Sequence, residues 1–450
     1  MRLLIKAILF ITCILSFTAP KYIIKAYPQN TNGEEFFTGV KKCPVVKENE
    51  KCNDIAPYLI FEGDITKMKI LWQLGRTGTP PEKCTLKWWK TGSIVHSANV
   101  VPLENNIEDH YSYSYTINNL LPGEKYNYII EELEDFTGSF YSAPGKNQKA
   151  IKFMVYGDSR YNKSRSCHSI IADHMVQTYK ADPLFQSFVI STGDIVNLGI
   201  NNDEWRKQFF CPAGKLLNHM PVYAVPGNHE FGKNIFMHYD YDHETNLFGE
   251  YFPYPFVKDN SYYWSFDYGP AHFIMIDQYE QEANKGLEKK HNPHRIGSKQ
   301  EEWIRRDLEK SINKGQKWNF MVLHEPGLSA NPGRNNKNAR DVIERISKDL
   351  RIDMVLAGHN HNYARIHKNN VIQLTIGGGG ANLRKIKRNK VKSNDVKFYK
   401  SIHHFCKIEI DGNILTGTTI GWGKNEKTGK KESKVIDRFT IKKNRAETRL

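Results

Sequence analysis

The 450-residue chain is about three times the length of an average domain, so two or three domains are expected. With 39% hydrophobic, 12% aromatic and 25% charged residues it has the material for packed cores, which excludes a disordered, collagenous or coiled-coil chain. The 64 Lys+Arg against 49 Asp+Glu leave a net +15 spread along the chain. That excess is read first as solubility, and no specific nucleic-acid binding is expected from it.

In chain order, Arg2 and Lys6 precede an apolar run over residues 7–17, and residues 1–26 read as a secretory leader. The run is short for the ~20 residues of a helical span, so no transmembrane segment is expected once it is removed. The protein is expected to be secreted or extracytoplasmic, with an uncleaved N-terminal anchor as the alternative. Beyond the leader stand Cys43, Cys52, Cys84, Cys167, Cys211 and Cys406, an even set that permits three disulfides. Cys43 with Cys52, across a short polar stretch, is the first choice and Cys167 with Cys211 the second. None forms a CxxC pair, which argues against a zinc ribbon.

Residues 27–55 are polar and read as a tether. Residues 56–150 carry short strand-like runs at 69–74, 85–89, 111–117 and 125–130, separated by Gly- and Pro-containing turns. The run 111–117 alternates Tyr with Ser or Thr, the period-2 mark of a strand with one buried face. A β-sandwich is expected here, with Trp72 in its core.

After residue 150 the pattern changes. Five apolar strands, at residues 151–156, 188–192, 222–225, 318–323 and 354–357, each finish in a polar cluster. The clusters are Gly157-Asp158, Gly193-Asp194, Gly227-Asn228-His229-Glu230, His324 and Gly358-His359-Asn360-His361. Helical spacing is present at 169–178 and 299–314. Ligand-bearing loops at the C-terminal ends of strands are the usual siting of a catalytic centre in such sheets. Phe248, Tyr251 and Phe252 are expected to pack against the sheet, with His238 left open as a site residue. The basic stretch 383–392 follows the glycine run and reads first as a solvated loop, with a site-facing segment that draws in polyanionic substrates as the alternative.

Asp158, Asp194, Asn228, His324, His359 and His361 form a ligand set of carboxylate, amide and imidazole. That set suits zinc, iron or manganese and contains no thiolate. If one carboxylate bridges, six such groups hold two ions, the arrangement that clamps both oxygens of an in-line phosphoryl displacement. Singly these residues have bland readings: a Gly-Asp after a strand is a turn, and a lone His is a hydrogen-bonding residue. Five such clusters in succession do not.

The five clusters resemble the signature of the calcineurin-like metallophosphoesterases. Residues 56–150, with Leu121-Pro122-Gly123-Glu124-Lys125-Tyr126, resemble the fibronectin-III-like N-terminal domain of purple acid phosphatases. The resemblance covers about residues 55–440. It implies an α+β fold, in which an N-terminal β-sandwich precedes a catalytic domain (residues 151–440) of two stacked mixed sheets flanked by helices, and residues 441–450 form a tail. It implies one ion held by Asp158, Asp194 and His361, and a second held by Asp194, Asn228, His324 and His359. His229 is then the general acid or phosphate-orienting residue. The substrate class implied is a phosphate monoester, with diesters or nucleotides as alternatives.

Two positions depart from the pattern. Purple acid phosphatases carry a tyrosine ligand three residues after the second Gly-Asp aspartate, where this chain has Asn197, and Tyr161 is not taken as its replacement. Other members carry His two residues after the first aspartate, where this chain has Arg160. That guanidinium either grips substrate phosphate or pairs with a nearby carboxylate. From another functional class, a non-catalytic surface or host-interaction module retaining the fold is the rival reading.

Overall fold

A computed structural model describes residues 23–26, 37–40, 43–45, 52–75, 82–103, 110–145, 147–161, 165–182, 188–232, 246–284, 295–386, 391 and 393–443. His238 and, of the basic stretch 383–392, residues 387–390 and 392 lie outside them.

The β-rich first part forms two antiparallel sheets. One has the order Ile55–Ile60, Met68–Gly75, His110–Ile117; the other His96–Val100, Cys84–Lys90, Lys125–Ile130, Thr137–Tyr141. Alternation in His110–Ile117 turns Tyr113 inward, where it stacks on the fully buried Trp72 at 5.2 Å. Tyr115 reaches Trp88 of the other sheet, with ring centroids 5.5 Å apart.

The remainder is two stacked mixed sheets with helices outside, the fold class expected. In the first, Ala150–Tyr156, Phe188–Ser191 and Val222–Ala224 run parallel, and His403–Asp411, Ile414–Asn425 and Lys431–Lys442 extend it antiparallel. Ile23–Ala26, the end of the segment read as leader, closes its edge against Lys431–Lys442. The second sheet carries Ala271–Met275, Trp318–Val322, Met354–Ala357 and Val371–Ile376 in parallel, with antiparallel strands at both edges. These central strands are buried on both faces, which is why their sequences are continuous apolar runs. Between the sheets Phe153 meets Phe273 and Phe320 edge-on at 5.2 and 5.5 Å. Phe248, Tyr251 and Phe252 are fully buried around Trp205, as expected of packing residues. Helices His168–Ala181 and Ser298–Asn313 fall where the spacing put them. No helix among the described residues is long and apolar enough to cross a membrane.

The disulfide pairing differs from the expectation. Cys43 bonds Cys167 and Cys52 bonds Cys211, while Cys84 and Cys406 are buried and free. Cys167 precedes the helix His168–Ala181 and Cys211 opens the helix Cys211–Leu217. Cys43 and Cys52 are therefore each drawn to a different helix instead of to one another.

Candidate metal centre

The parallel strands of both sheets end at the same edge, and there the predicted residues converge. Ala150–Tyr156 delivers Asp158, Phe188–Ser191 delivers Asp194, and Val222–Ala224 delivers Asn228 and His229. The second sheet supplies His324 from Trp318–Val322, and His359 and His361 from Met354–Ala357. The loops are tied together by their backbones: the Asp158 amide donates to the Gly193 carbonyl at 2.9 Å and the Gly358 amide to the His324 carbonyl at 2.9 Å.

Four of the six expected ligands have left-handed backbone: Asp158 (φ 56°), Asp194 (φ 54°), His359 (φ 66°) and His361 (φ 39°). That conformation is uncommon for residues other than glycine, and its concentration here marks turns held by their surroundings. The surroundings are tight. A Cβ on Gly358 would lie 2.6 Å from Asp158 Oδ2, and one on Gly377 would lie 2.7 Å from the same atom. Gly358, before the two histidines, and Gly377, which opens the glycine run after them, thus form the wall against which the first aspartate packs.

Two groups of ligating atoms result. Asp158, Asp194 and His361 offer ligand atoms within 4.8 Å of one another, all buried. Asp158 Oδ1 and His361 Nε2 are 3.2 Å apart, and neither has a hydrogen-bond partner among the described residues. The Nδ1 of His361 is engaged by the Asn382 carbonyl at 2.7 Å, which turns Nε2 to the cluster. In the second group, Asn228 Oδ1 lies 3.3 Å from His324 Nε2 and 3.1 Å from His359 Nδ1, and His324 Nε2 lies 3.2 Å from Asp194 Oδ1. His324 is oriented in the same way, its Nδ1 bonding the Thr192 carbonyl at 2.7 Å. Asp194 contributes to both groups. Orphaned buried ligand atoms, oriented imidazoles and a shared carboxylate fit two transition-metal ions.

The electrostatics are those of a tightly charged pocket. Burial acts to raise the Asp194 carboxyl, but His324, His229 and Arg160 hold it well below its ordinary value. Burial likewise acts to raise Asp158, and the adjacent His361 brings it down. Burial acts to lower His324, yet Asp194 carries it up to about 10. His359 is pushed down to about 3, chiefly by burial.

His229 stands beside the cluster without joining a ligand group. Its Nδ1 lies 3.0 Å from the Asn197 carbonyl and its Nε2 3.9 Å from Asp194 Oδ2. Burial lowers it to about 4 against the opposing charge of Asp194. Arg160 is held within the site: Nε lies 3.3 Å from Asp194 Oδ2, and Nη1 donates to Asn197 Oδ1 at 3.0 Å. Of its two sequence readings, the pairing with a carboxylate is the one the contacts display. Tyr161 turns its hydroxyl to the Lys207 carbonyl at 2.6 Å, away from the ligands.

Sequence reasoning missed Glu230 and Arg334, and held Arg384 only as part of the basic stretch 383–392. Glu230, quoted only as the end of a motif, is fully buried and accepts the amides of Gly227 (2.6 Å), Ile195 (2.8 Å), Asp194 (3.0 Å) and Val196 (3.1 Å). Arg334 places Nη2 3.2 Å from His359 Nε2 and donates from Nε to Asn360 Oδ1 at 2.8 Å. Arg384 is anchored by its amide to the His361 carbonyl at 3.1 Å. Glu230 had a signal, its place in the Gly227-Asn228-His229-Glu230 cluster, and Arg384 had one in the basic stretch 383–392; Arg334 lies in a loop with none.

Residues 164–363 match the family described as calcineurin-like phosphoesterase, a stretch that contains every expected ligand except Asp158. The chain therefore carries a calcineurin-like phosphoesterase domain. Within that class it is purple-acid-phosphatase-like: it is 25% identical over 260 residues to probable purple acid phosphatase 20 of Arabidopsis thaliana, across 54% of each chain. It is 22% identical over 335 residues to probable inactive purple acid phosphatase 27 of the same plant, across 66% of this chain and 50% of that one. The chain thus spans about half the length of these relatives. Among solved structures, the purple acid phosphatase PPD1 from yellow lupin (Lupinus luteus) seeds shares the fold, with a TM-score of 0.67 at 16% identity over 88% of this chain and 75% of that one.

Proposed function

We propose that the chain is an exported metal-dependent phosphatase that hydrolyses phosphate monoesters at a centre of two ions. One observation carries the reading: six candidate ligand side chains from five strand ends meet where the two sheets end together, with Asp158 Oδ1 and His361 Nε2 buried, 3.2 Å apart and without a hydrogen-bond partner among the described residues. Asp158, Asp194 and His361 would hold one ion, and Asp194, Asn228, His324 and His359 the other. Such ions supply Lewis acidity toward phosphoryl oxygens and lower the pKa of water from 15.7 to roughly 7. The remaining work belongs to the chain. The Asn197 carbonyl fixes the His229 ring so that Nε2 faces the cluster, where it can hold a proton for the leaving oxygen. A phosphate dianion beside that ring opposes the burial that depresses its pKa. Arg160, tethered to Asp194 and Asn197, adds fixed positive charge next to the reacting phosphoryl group.

Two disulfides are compatible with an oxidising, extracytoplasmic compartment. The presence of all six ligands and His229 weighs against a non-catalytic module. Asp194→Asn is the direct test: hydrolysis of p-nitrophenyl phosphate should fall at least about 100-fold while the far-UV spectrum of the folded chain is retained. Parental activity in that variant would refute the two-ion reading.

A further inference from the structure

Asn197 joins the two groups that flank the ligand cluster. Its carbonyl accepts from His229 Nδ1 at 3.0 Å, and its side-chain Oδ1 accepts from Arg160 Nη1 at 3.0 Å. It stands where the family pattern has a tyrosine, a residue with no side-chain amide to offer a guanidinium. The backbone amide of Asn197 turns the other way and donates to Gln208 Oε1 at 3.1 Å. The same oxygen accepts the amide of Tyr161, the residue after Arg160, at 3.0 Å. One buried side-chain oxygen therefore ties the loop that carries Asp158 and Arg160 to the loop that carries Asp194 and Asn197. Gln208 is itself held from behind. It lies in the π-helical turn Trp205–Phe210, at whose end the Cys211 amide reaches back five residues to the Arg206 carbonyl. The next two carbonyls, of Lys207 and Gln208, accept from outside the helix, from Tyr161 Oη at 2.6 Å and His168 Nδ1 at 2.9 Å. Isolated π turns within helices occur frequently at functional sites. This one is pinned on its far side, where Cys211 bonds Cys52 and Phe210 packs on Tyr58 of the N-terminal sandwich, ring centroids 4.6 Å apart.

We propose that Gln208 is a positioning residue for the reaction: through Asn197 it sets the His229 ring, and through Asn197 and Tyr161 it sets the Arg160 guanidinium. This rests on the phosphatase reading above. Gln208 acts only through its neighbours, since its side-chain oxygen is taken up by the two amides. A side chain of the same length without an acceptor leaves both amides unpaired, and the two loops must shift to satisfy them. A displacement of about 1 Å in a group that carries a proton or orients a phosphate is enough to cost roughly 10²-fold in rate. The ion ligands are held by other bonds, those of Glu230 and of the Thr192 and Asn382 carbonyls, so ion content should survive the change.

The test follows hydrolysis of p-nitrophenyl phosphate by the full, ion-loaded chain. Gln208→Met should lower kcat about tenfold to a hundredfold, with KM within about threefold of the parent and ion content retained. The exchange of Glu204→Gln with Gln208→Glu returns an acceptor oxygen to position 208 at unchanged net charge, and should recover kcat to within about threefold. A structural defect would cost the same factor in any background. A positioning role predicts instead that the loss from Gln208→Met shrinks at least about threefold when His229→Ala or Arg160→Gln is already present. Should Gln208→Met not fold, Gln208→Asn, which draws the oxygen back by one methylene, carries the same comparison. Equal loss in every background, no loss, or no recovery in the exchange overturns the proposal. If the parent hydrolyses nothing, the phosphatase reading fails and calorimetry with orthophosphate decides the positioning role. Binding weakened at least about fivefold in Gln208→Met and restored in the exchange upholds it; equal binding, or none by the parent, overturns it.

Discussion

Glu230 offers the sharpest quantitative test of how the ligand loops are held. Its carboxylate accepts four backbone amides, two from each oxygen: Gly227 and Asp194 on Oε2, Ile195 and Val196 on Oε1. It thereby fastens the loop that carries Asp194 to the loop that carries Asn228. Burial, then the charge of Asp194, push its pKa up to about 7, with the Gly227 and Val196 amides acting the other way. Glu230→Ala removes the acceptor from all four buried amides. At roughly 1–3 kcal/mol for each orphaned group, and with some relaxation allowed, the loss should be at least about 4 kcal/mol. Glu230→Gln keeps one acceptor oxygen and sets an amide NH2 against two donors, so about half that loss is expected. Urea unfolding gives the stability, and competition against a graded chelator gives ion affinity, which should fall in both variants. If Glu230→Ala loses less than about 1 kcal/mol and binds ions as the parent does, Glu230 does not shape the loops.

Two further expectations follow from the same contacts. His168, His403 and His404 are buried and belong to neither ligand group, and burial lowers them to about 4, 3 and 4. Each stays neutral in the folded chain but takes up a proton in the unfolded chain below about pH 6.5, so their stabilisation is full above that pH and is lost as pH falls toward 4. Together they should give stability a slope of up to about 4 kcal/mol per pH unit between pH 6 and 4, read by urea unfolding at successive pH values; a flat profile would contradict their burial as neutral rings. His229→Ala should lower kcat for p-nitrophenyl phosphate by about 10²–10⁴ with ion content retained, because the ring lies beside the ligands and belongs to neither group. Loss of bound ions in that variant would make it a structural support instead of a proton carrier.

The site was legible because its residues occupy strand ends, where an apolar run gives way abruptly to a polar cluster. Asp158, Asp194, Asn228, His324, His359 and His361 all carry that local mark, and the structure brings the six together. What stayed hidden depends on which loops the fold makes neighbours. Cys43 and Cys167 are 124 residues apart in sequence, and Cys52 and Cys211 are 159 apart, so proximity along the chain misled the pairing. Arg334 stands in a loop of no distinctive pattern and Arg384 in a basic stretch that reads first as a solvated loop, and both acquire meaning only beside His359 and His361. The left-handed backbone at Asp158 and Asp194 was equally invisible, since a Gly-Asp pair after a strand is compatible with an ordinary turn.

The central claim is a two-ion phosphoesterase centre, and ion stoichiometry tests it most directly. Protein purified without chelator should hold close to two transition-metal ions per chain, and a chelator should remove both the ions and the hydrolysis of p-nitrophenyl phosphate. A chain that holds no ion and hydrolyses nothing after zinc, manganese and iron are each restored would contradict the account.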